Sequence, residues 1–464
     1  MLDDYHNSLS RAAREAIDYR KRTEDAERTP IASPTQMNAA FAGPVPEHGE
    51  AGEAVIEALI ARAAPGLRAM THRRFFGWVI GSSHPVGVAA DWLASAWGQN
   101  SGNATGAPAA AAAEKVAAGW LLDLLDLPRD ASVGFTTGAT VANFVGLAAA
   151  RSELLRREGW DVEGDGLFGA PPVTVLIGTD AHATVYSGLR YLGLGTRRVV
   201  TVDTDDYGQM LPSAFEAALK QAEGPVLAIM QAGQLNTGGC DPFAELIPMV
   251  RERGGWTHVD GAFGLWAQAV PERRALTQGV EMADSWATDG HKWLQTPYDC
   301  GFSIIRDAEA HRRAMAISTS YLPPAKNDER DPSAYVPELS RRARGFSTWA
   351  LIRHFGRSGI AQLVDRNCRQ AAAVADLLRK VDGIEVVIEP VLNQLMLRFG
   401  DDDAATLSTI EQIQEDAILF AGPALWRGRW IMRLSFCSAA TRDEDITITA
   451  DAIAAAWAKV GELA

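Results

Sequence analysis

The stretch ADSWATDGHKWLQTPYDCG, residues 283–301, carries the reading of the fold. SWATDG (285–290) is a short apolar run with an aromatic and a β-branched member, the pattern of a strand buried on both faces. It leads straight into Gly290-His291-Lys292-Trp293, so a lysine stands beside an indole where the strand stops. Lysine is seldom buried, because a desolvated ammonium is costly unless it is paired or gives up its proton. A neutral amine is what Schiff-base chemistry needs. By itself the segment also reads as a loop carrying a surface lysine.

Working outward, similar apolar runs occur at VTVLIG (173–178), VLAIMQAG (226–233), WTHVD (256–260) and GFSIIR (301–306). Helical patterns at 109–125, 141–156, 184–193, 213–221 and 243–253 separate them. Short strands joined through helices imply crossover connections, hence an α/β fold with a mostly parallel central sheet covered on both faces. Beyond about residue 345 the pattern becomes helix, then EVVIEP, LMLRFG and WIMRLSF with helices between, a smaller C-terminal α+β domain. Residues 5–20 and 52–63 read as helices on either side of a proline-rich stretch from Pro30 to Pro46. The chain thus divides into an N-terminal helical arm (1–70), a large domain (71–345) and a small domain (346–464).

Composition narrows the function classes. Hydrophobic residues are 47% of the 464 and charged residues 22%, the balance of a soluble globular protein. A formal net charge of -14 speaks against nucleic acid or an anionic membrane as the main partner. The alanine-rich run at 107–118 is broken by Pro108, Glu114 and Lys115, short of the ~20 apolar residues a membrane span needs. The charged N-terminus shows no apolar core of a signal peptide. Four cysteines (Cys240, Cys300, Cys368, Cys437) form no CxxC pair, which suits a reducing cytoplasm.

Three further segments could carry chemistry. Asp260 ends the strand in WTHVDGAFG (256–264), where a parallel sheet opens its ligand crevice; a turn-capping aspartate is the plainer alternative. In VGFTTGATVANFVGLAAAR (133–151), a Thr/Gly/Ala/Thr turn opens a helix and leaves backbone N–H groups facing forward, a ready phosphate seat. His182, in TDAHATVYSGLRYLG (179–193), follows one strand and precedes a helix, so it can face the crevice or simply cap. No HExxH occurs for zinc and no GxGxxG follows the first strand for a dinucleotide.

The order of these segments (anion-binding turn, histidine, aspartate, lysine) resembles the group II PLP-dependent amino-acid decarboxylases, with the aspartate aminotransferase-like fold type I of PLP-dependent transferases. DSWATDGHKW and HVDGAFG carry the resemblance most specifically. It implies that pyridoxal 5′-phosphate (PLP) forms a Schiff base with Lys292, that Asp260 pairs with the pyridine nitrogen, that Ala262 lies against the ring and that His182 stacks on its other face. Gly138, Ala139 and Thr140 match the phosphate turn, with Ser285 and His291 near the phosphate. Tyr321, in SYLPP, matches a mobile-loop tyrosine that protonates the product carbon; relatives that make aldehydes carry phenylalanine there. The family often has two threonines where this chain reads Gln234-Leu235, so Asn236, with Thr237, is the substitute cofactor contact. Trp78, Asn100 and Gly102 match the substrate pocket, with an unusually small and polar lining. The resemblance implies decarboxylation of an L-amino acid to amine and CO₂ by a cytoplasmic homodimer whose arm wraps its partner. The same cofactor would also serve an aldehyde lyase acting on β-hydroxy amino acids or an aminotransferase, since fold does not fix reaction. A non-catalytic descendant is the third reading, opposed by intact Lys292, Asp260 and His182.

Overall fold

The computed structural model describes residues 2–25, 31–317 and 330–463. Its larger sheet contains β1 (Ser132–Thr136), β2 (Thr174–Gly178), β3 (Val199–Val202), β4 (Val226–Gln231), β5 (Trp256–Asp260), β6 (Ser285–Asp289) and β7 (Gly301–Ile305). The spatial order is β1-β7-β6-β5-β4-β2-β3, and in this sheet β7 alone runs against its neighbours. β1 therefore points the same way as the parallel set. The mostly parallel sheet expected from the apolar runs is present, with β3 added at the edge. That strand is flanked by Arg197 and Arg198 and is only partly buried, so it presents no apolar run to read.

Alternate residues of the central strands enter different cores, as a period of two requires. Val226, Ala228 and Met230 of β4 join the side built by Phe215, Phe243, Leu246 and Ile247. Leu227 and Ile229 join the opposite side, with Val145, Leu147 and Ala148 of the helix Ala139–Arg157. Both faces are thus covered by helices, and the backbone polar groups of β4, β5 and β6 are paired along the sheet. Ligand access is left to the strand ends.

A second sheet, order β10-β11-β9-β8 and antiparallel throughout, holds β8 (Ile384–Val386), β9 (Gln394–Phe399), β10 (Gly422–Trp426) and β11 (Arg429–Ser435). Leu395, Leu397, Phe399, Met432 and Leu434 make its core with Val374, Leu378 and Ile453. The boundary expected at residue 346 falls at the start of the helical stretch Arg344–Leu378, two helical segments joined by a kink where Gly356 leaves helical geometry (φ 61°, ψ 176°). Leu351, Ile360, Val364 and Cys368 of that stretch belong to the large core, and the change to the small core comes between Cys368 and Ala371. Segment 74–76 crosses over as well: the Phe76 N–H donates to the Phe420 carbonyl and the Ser435 N–H to the Phe76 carbonyl, at 2.8 and 3.0 Å.

In the N-terminal region Leu2–Asp25 packs against Gly52–Ala63. The proline-rich stretch between them contains a short helix, Pro34–Phe41, begun by a Ser33/Gln36 capping box with proline in its first turn. Proline is tolerated there because the first-turn N–H has no intrahelical partner to lose. Arg20 fastens the arm by donating to the carbonyls of Ser82 and Ser83.

Candidate active site

Parallel strands bring the residues that follow them to one edge of the sheet. The turn after β1 supplies Gly138, Ala139 and Thr140; β2 leads to His182; β5 ends in Asp260 and Ala262 follows; β6 leads to His291 and Lys292. All eight line one cavity of about 310 Å³. Residues more than a hundred positions apart thus meet because their strands share a direction.

The lysine is held from below. Lys292 Nζ lies 3.0 Å from Asp289 Oδ2 and 5.8 Å from the centre of the Phe263 ring. Asp289, at the end of β6, is nearly buried, and its other oxygen accepts the Ala139 N–H at 2.6 Å. One carboxylate therefore anchors the lysine and the start of the helix Ala139–Arg157, where a negative charge is favoured by the helix dipole. This corrects the picture of a wholly free turn: the Ala139 N–H is taken. The His291 ring stacks on Tyr298 with centroids 4.4 Å apart, and burial moves its pKa down from the ordinary histidine range. Gly138 must stay small, since a Cβ there would stand 3.0 Å from His291 Cε1 and 3.3 Å from Asp289 Oδ1.

Across the cavity, burial raises the pKa of Asp260, while His182, Lys292 and the Ala262 N–H at 3.2 Å favour its charged form. Burial lowers the pKa of His182, partly offset by Asp260. Its Nδ1 sits 2.7 Å from Thr184 Oγ1 and caps the helix Ala183–Tyr191. The capping and crevice-facing readings of His182 are thus both realised, because a capping residue at the strand-to-helix turn also borders the strand edge.

Other expected positions lie elsewhere. Ser285 stands at the opposite end of β6 from Lys292, with its hydroxyl bonded to Trp256 Nε1 and His258 Nδ1, so it is not beside the phosphate turn. Asn236 turns its side-chain oxygen to Arg433 and borders no part of the cavity; Leu235 does instead. Gln234 is used within its own loop, accepting the N–H groups of Asn236 and Thr237. Trp78 packs on Phe75 and Phe420 and is half exposed. Asn100 accepts the Arg341 N–H, and Gly102 is pressed against the Leu339 carbonyl. None of these three lines the Lys292 cavity of its own chain. Tyr321 lies outside the described residues.

Several cavity residues carried no usable signal in the sequence. Thr184, Phe263 and Tyr298 resemble ordinary helix or loop residues, and Asp289 resembles a turn aspartate. Arg433, on β11, is buried behind Leu235 and donates to the Leu235 carbonyl and Asn236 Oδ1. Burial pushes its guanidinium down to about 10. It comes from the second domain, so no local pattern announces it.

Residues 34–399 match the family model described as the pyridoxal-dependent decarboxylase conserved domain. An aromatic-L-amino-acid decarboxylase of Bacillus atrophaeus is 27% identical over 384 residues, 81% of this chain and 77% of that protein. An L-2,4-diaminobutyrate decarboxylase of Acinetobacter baumannii is 27% identical over 325 residues, 67% of this chain and 64% of its own. The crystal structure of Oryza sativa TDC with PLP and tryptamine has the same fold, with a TM-score of 0.91 at 22% identity, covering 99% of this chain and 98% of the other.

Proposed function

We infer the roles of the site residues from one premise: the chain belongs to the pyridoxal-dependent decarboxylase family. It is a PLP-dependent amino-acid carboxy-lyase. Its cavity fits that cofactor in donor set and size. An amine, a buried carboxylate, an imidazole and a helix N-terminus converge on about 310 Å³, within the range of small-molecule sites.

When bound, the PLP ring supplies an electron sink for the bond broken at the substrate Cα. Lys292 is the amine that would hold the ring covalently, and the Asp289 carboxylate 3.0 Å away would orient that amine. Asp260 would keep a proton on the ring nitrogen. The N-terminus of Ala139–Arg157, with Thr140 and His291, would take the phosphate. His182 would cover one ring face and exclude water there, with Ala262 against the other. Tyr321 remains the proposed donor of a proton to the product carbon, on the resemblance already given. The observation that carries the reading is that Lys292 and Asp260 line one cavity with the open end of a long helix.

The test is an assay of CO₂ and amine over a panel of aromatic, acidic and basic L-amino acids. Equal amounts of CO₂ and amine from at least one are expected. α-Keto acid without CO₂, or retro-aldol product from a β-hydroxy amino acid, would overturn it. Aldehyde in place of amine would remove Tyr321 from its role.

The cytoplasmic homodimer is also a proposal. Trp92, Leu93 and Trp97 on the helix Pro85–Trp97, with Leu9 and Ile17 on the arm, leave apolar side chains exposed that a second copy would cover. Sedimentation of the holoenzyme is expected to give twice the chain mass; a monomer with full activity would contradict this. The four cysteines are buried and free, which suits a reducing compartment. Among the described residues no helix is long and apolar enough to cross a membrane.

A further inference from the structure

The Ser285 contacts belong to a longer row of buried polar groups on the face of β5 that also carries Asp260, since Trp256, His258 and Asp260 are two residues apart along the strand. Trp256 and His258 lie on β5, Ser285 begins β6, and Asn143 lies in the helix Ala139–Arg157. Their exposures are 1, 0, 0 and 0%. Trp256 Nε1 donates to Ser285 Oγ at 2.9 Å, Ser285 Oγ meets His258 Nδ1 at 2.8 Å, and His258 Nε2 meets Asn143 Oδ1 at 2.9 Å.

Hydrogen-bond chemistry gives this row a direction. The indole N–H can only donate, so Ser285 accepts from it. Burial pushes the His258 imidazole down to about 3, so the ring is neutral and carries one proton. Asn143 Oδ1 can only accept, which puts that proton on Nε2 and leaves Nδ1 to accept the Ser285 O–H. Every group then has one donor facing one acceptor. The opposite amide orientation would turn the Asn143 oxygen toward the Asp260 carboxylate, a repulsive arrangement, so the network fixes the amide as well.

What remains is the Asn143 amide nitrogen. It is buried with no hydrogen-bond partner among the described residues; its amide is bonded to His258, which shares a face of β5 with Asp260 two residues on, and it favours the charged form of that carboxylate. An unmatched buried donor costs free energy unless a negative charge lies close by. The row is also sterically set, because a Cβ on Gly146 would fall 2.5 Å from His258 Cε1 and 2.7 Å from Nδ1. Glycine at that point of the helix lets the imidazole lie between helix and sheet.

We propose that Trp256, Ser285, His258 and Asn143 form a directional relay of positioning residues that holds the Asp260 carboxylate ionised toward the cofactor's ring nitrogen. This deepens the proposed function and rests on its assignment of Asp260. None of the four is a catalytic residue; they act through Asp260. Ser285, placed near the phosphate by resemblance, is instead an inner member of this row, between Trp256 and His258.

The test uses holoenzyme loaded with [¹⁵N]pyridoxal phosphate, with the ring-nitrogen chemical shift as readout beside kcat and KM. Asn143→Leu keeps the branched side-chain shape and removes both the amide donor and the oxygen that accepts from His258. It is expected to move the ring ¹⁵N signal toward the unprotonated value and to lower kcat about 10- to 100-fold with KM within about twofold, the scale of one hydrogen bond to a charged group. Ser285→Ala leaves the imidazole free to change tautomer and should move the signal the same way by less. It serves as the deciding variant if Asn143→Leu does not load cofactor. Asp260→Asn separates the two levels of the argument. If Asp260→Asn moves the signal and neither relay variant does, the relay is wrong. If Asp260→Asn also leaves it unmoved, the assignment of Asp260 is wrong.

Discussion

Lys292→Ala is expected to remove the visible absorbance of the bound cofactor and to lower kcat by at least about 10⁴-fold, the scale seen when the covalent group of a catalytic unit is deleted. The size of the effect follows from position. Lys292 Nζ is 3.0 Å from Asp289 and borders the cavity that Asp260 and His182 also line. No second lysine borders that cavity among the described residues, so no neighbouring amine is placed to substitute. Loss of the lysine would also leave the Asp289 carboxylate without its cation, while the Ala139 N–H bond remains. Cofactor retention should therefore weaken, yet the phosphate seat would persist, and PLP should still bind reversibly. The measurement is the absorption spectrum and single-turnover rate of the variant with excess PLP. A variant that keeps its colour after desalting and turns over at more than about a hundredth of the parent rate would contradict the assignment.

Asp260→Asn is expected to be the next most damaging change, lowering kcat about 10³-fold with little effect on KM, because it weakens the electron sink rather than substrate binding. Asparagine keeps an oxygen for the Ala262 N–H, so the turn after β5 should survive. What it lacks is the charge that favours a proton on the ring nitrogen. Steady-state rates with the best substrate of the panel, beside cofactor stoichiometry, make the measurement. Full loading with a kcat within about threefold of the parent would contradict the role.

The residues that sequence could read are those where strand period and crossover direction suffice. β4, β5 and β6 announce themselves as apolar runs, and whatever follows such strands in a parallel sheet must meet at one edge. Gly138, His182, Asp260 and Lys292 therefore come together from order alone. Ser285 shows where that logic stops. It shares β6 with the approach to Lys292, but β6 spans five residues, so its two ends are about 13 Å apart. Nearness in sequence along an extended strand is distance in space.

The Asp289 contact to Ala139 was illegible for the opposite reason. Its partners are 150 residues apart, one ending β6 and the other opening the helix after β1, two strands separated by β7, and only the folded sheet sets them face to face. Arg433 reaches the loop behind the site, at Leu235 and Asn236, from the second domain, which no local period encodes. The segment around Asn100 is settled by the Arg341 N–H, a tertiary contact that occupies its side-chain oxygen, and Asn100 is not among the residues lining the Lys292 cavity. The domain boundary was hidden in the same way, since the helical segment after the Gly356 kink begins against the large core and ends against the small one, with no break in its period to mark the change.

The most direct test of the central claim is where the cofactor attaches. Borohydride reduction of the PLP-loaded protein, followed by peptide mapping, is predicted to find a single pyridoxyl group, on Lys292. Its appearance on any other lysine, or no label at all on fully loaded protein, would contradict the account.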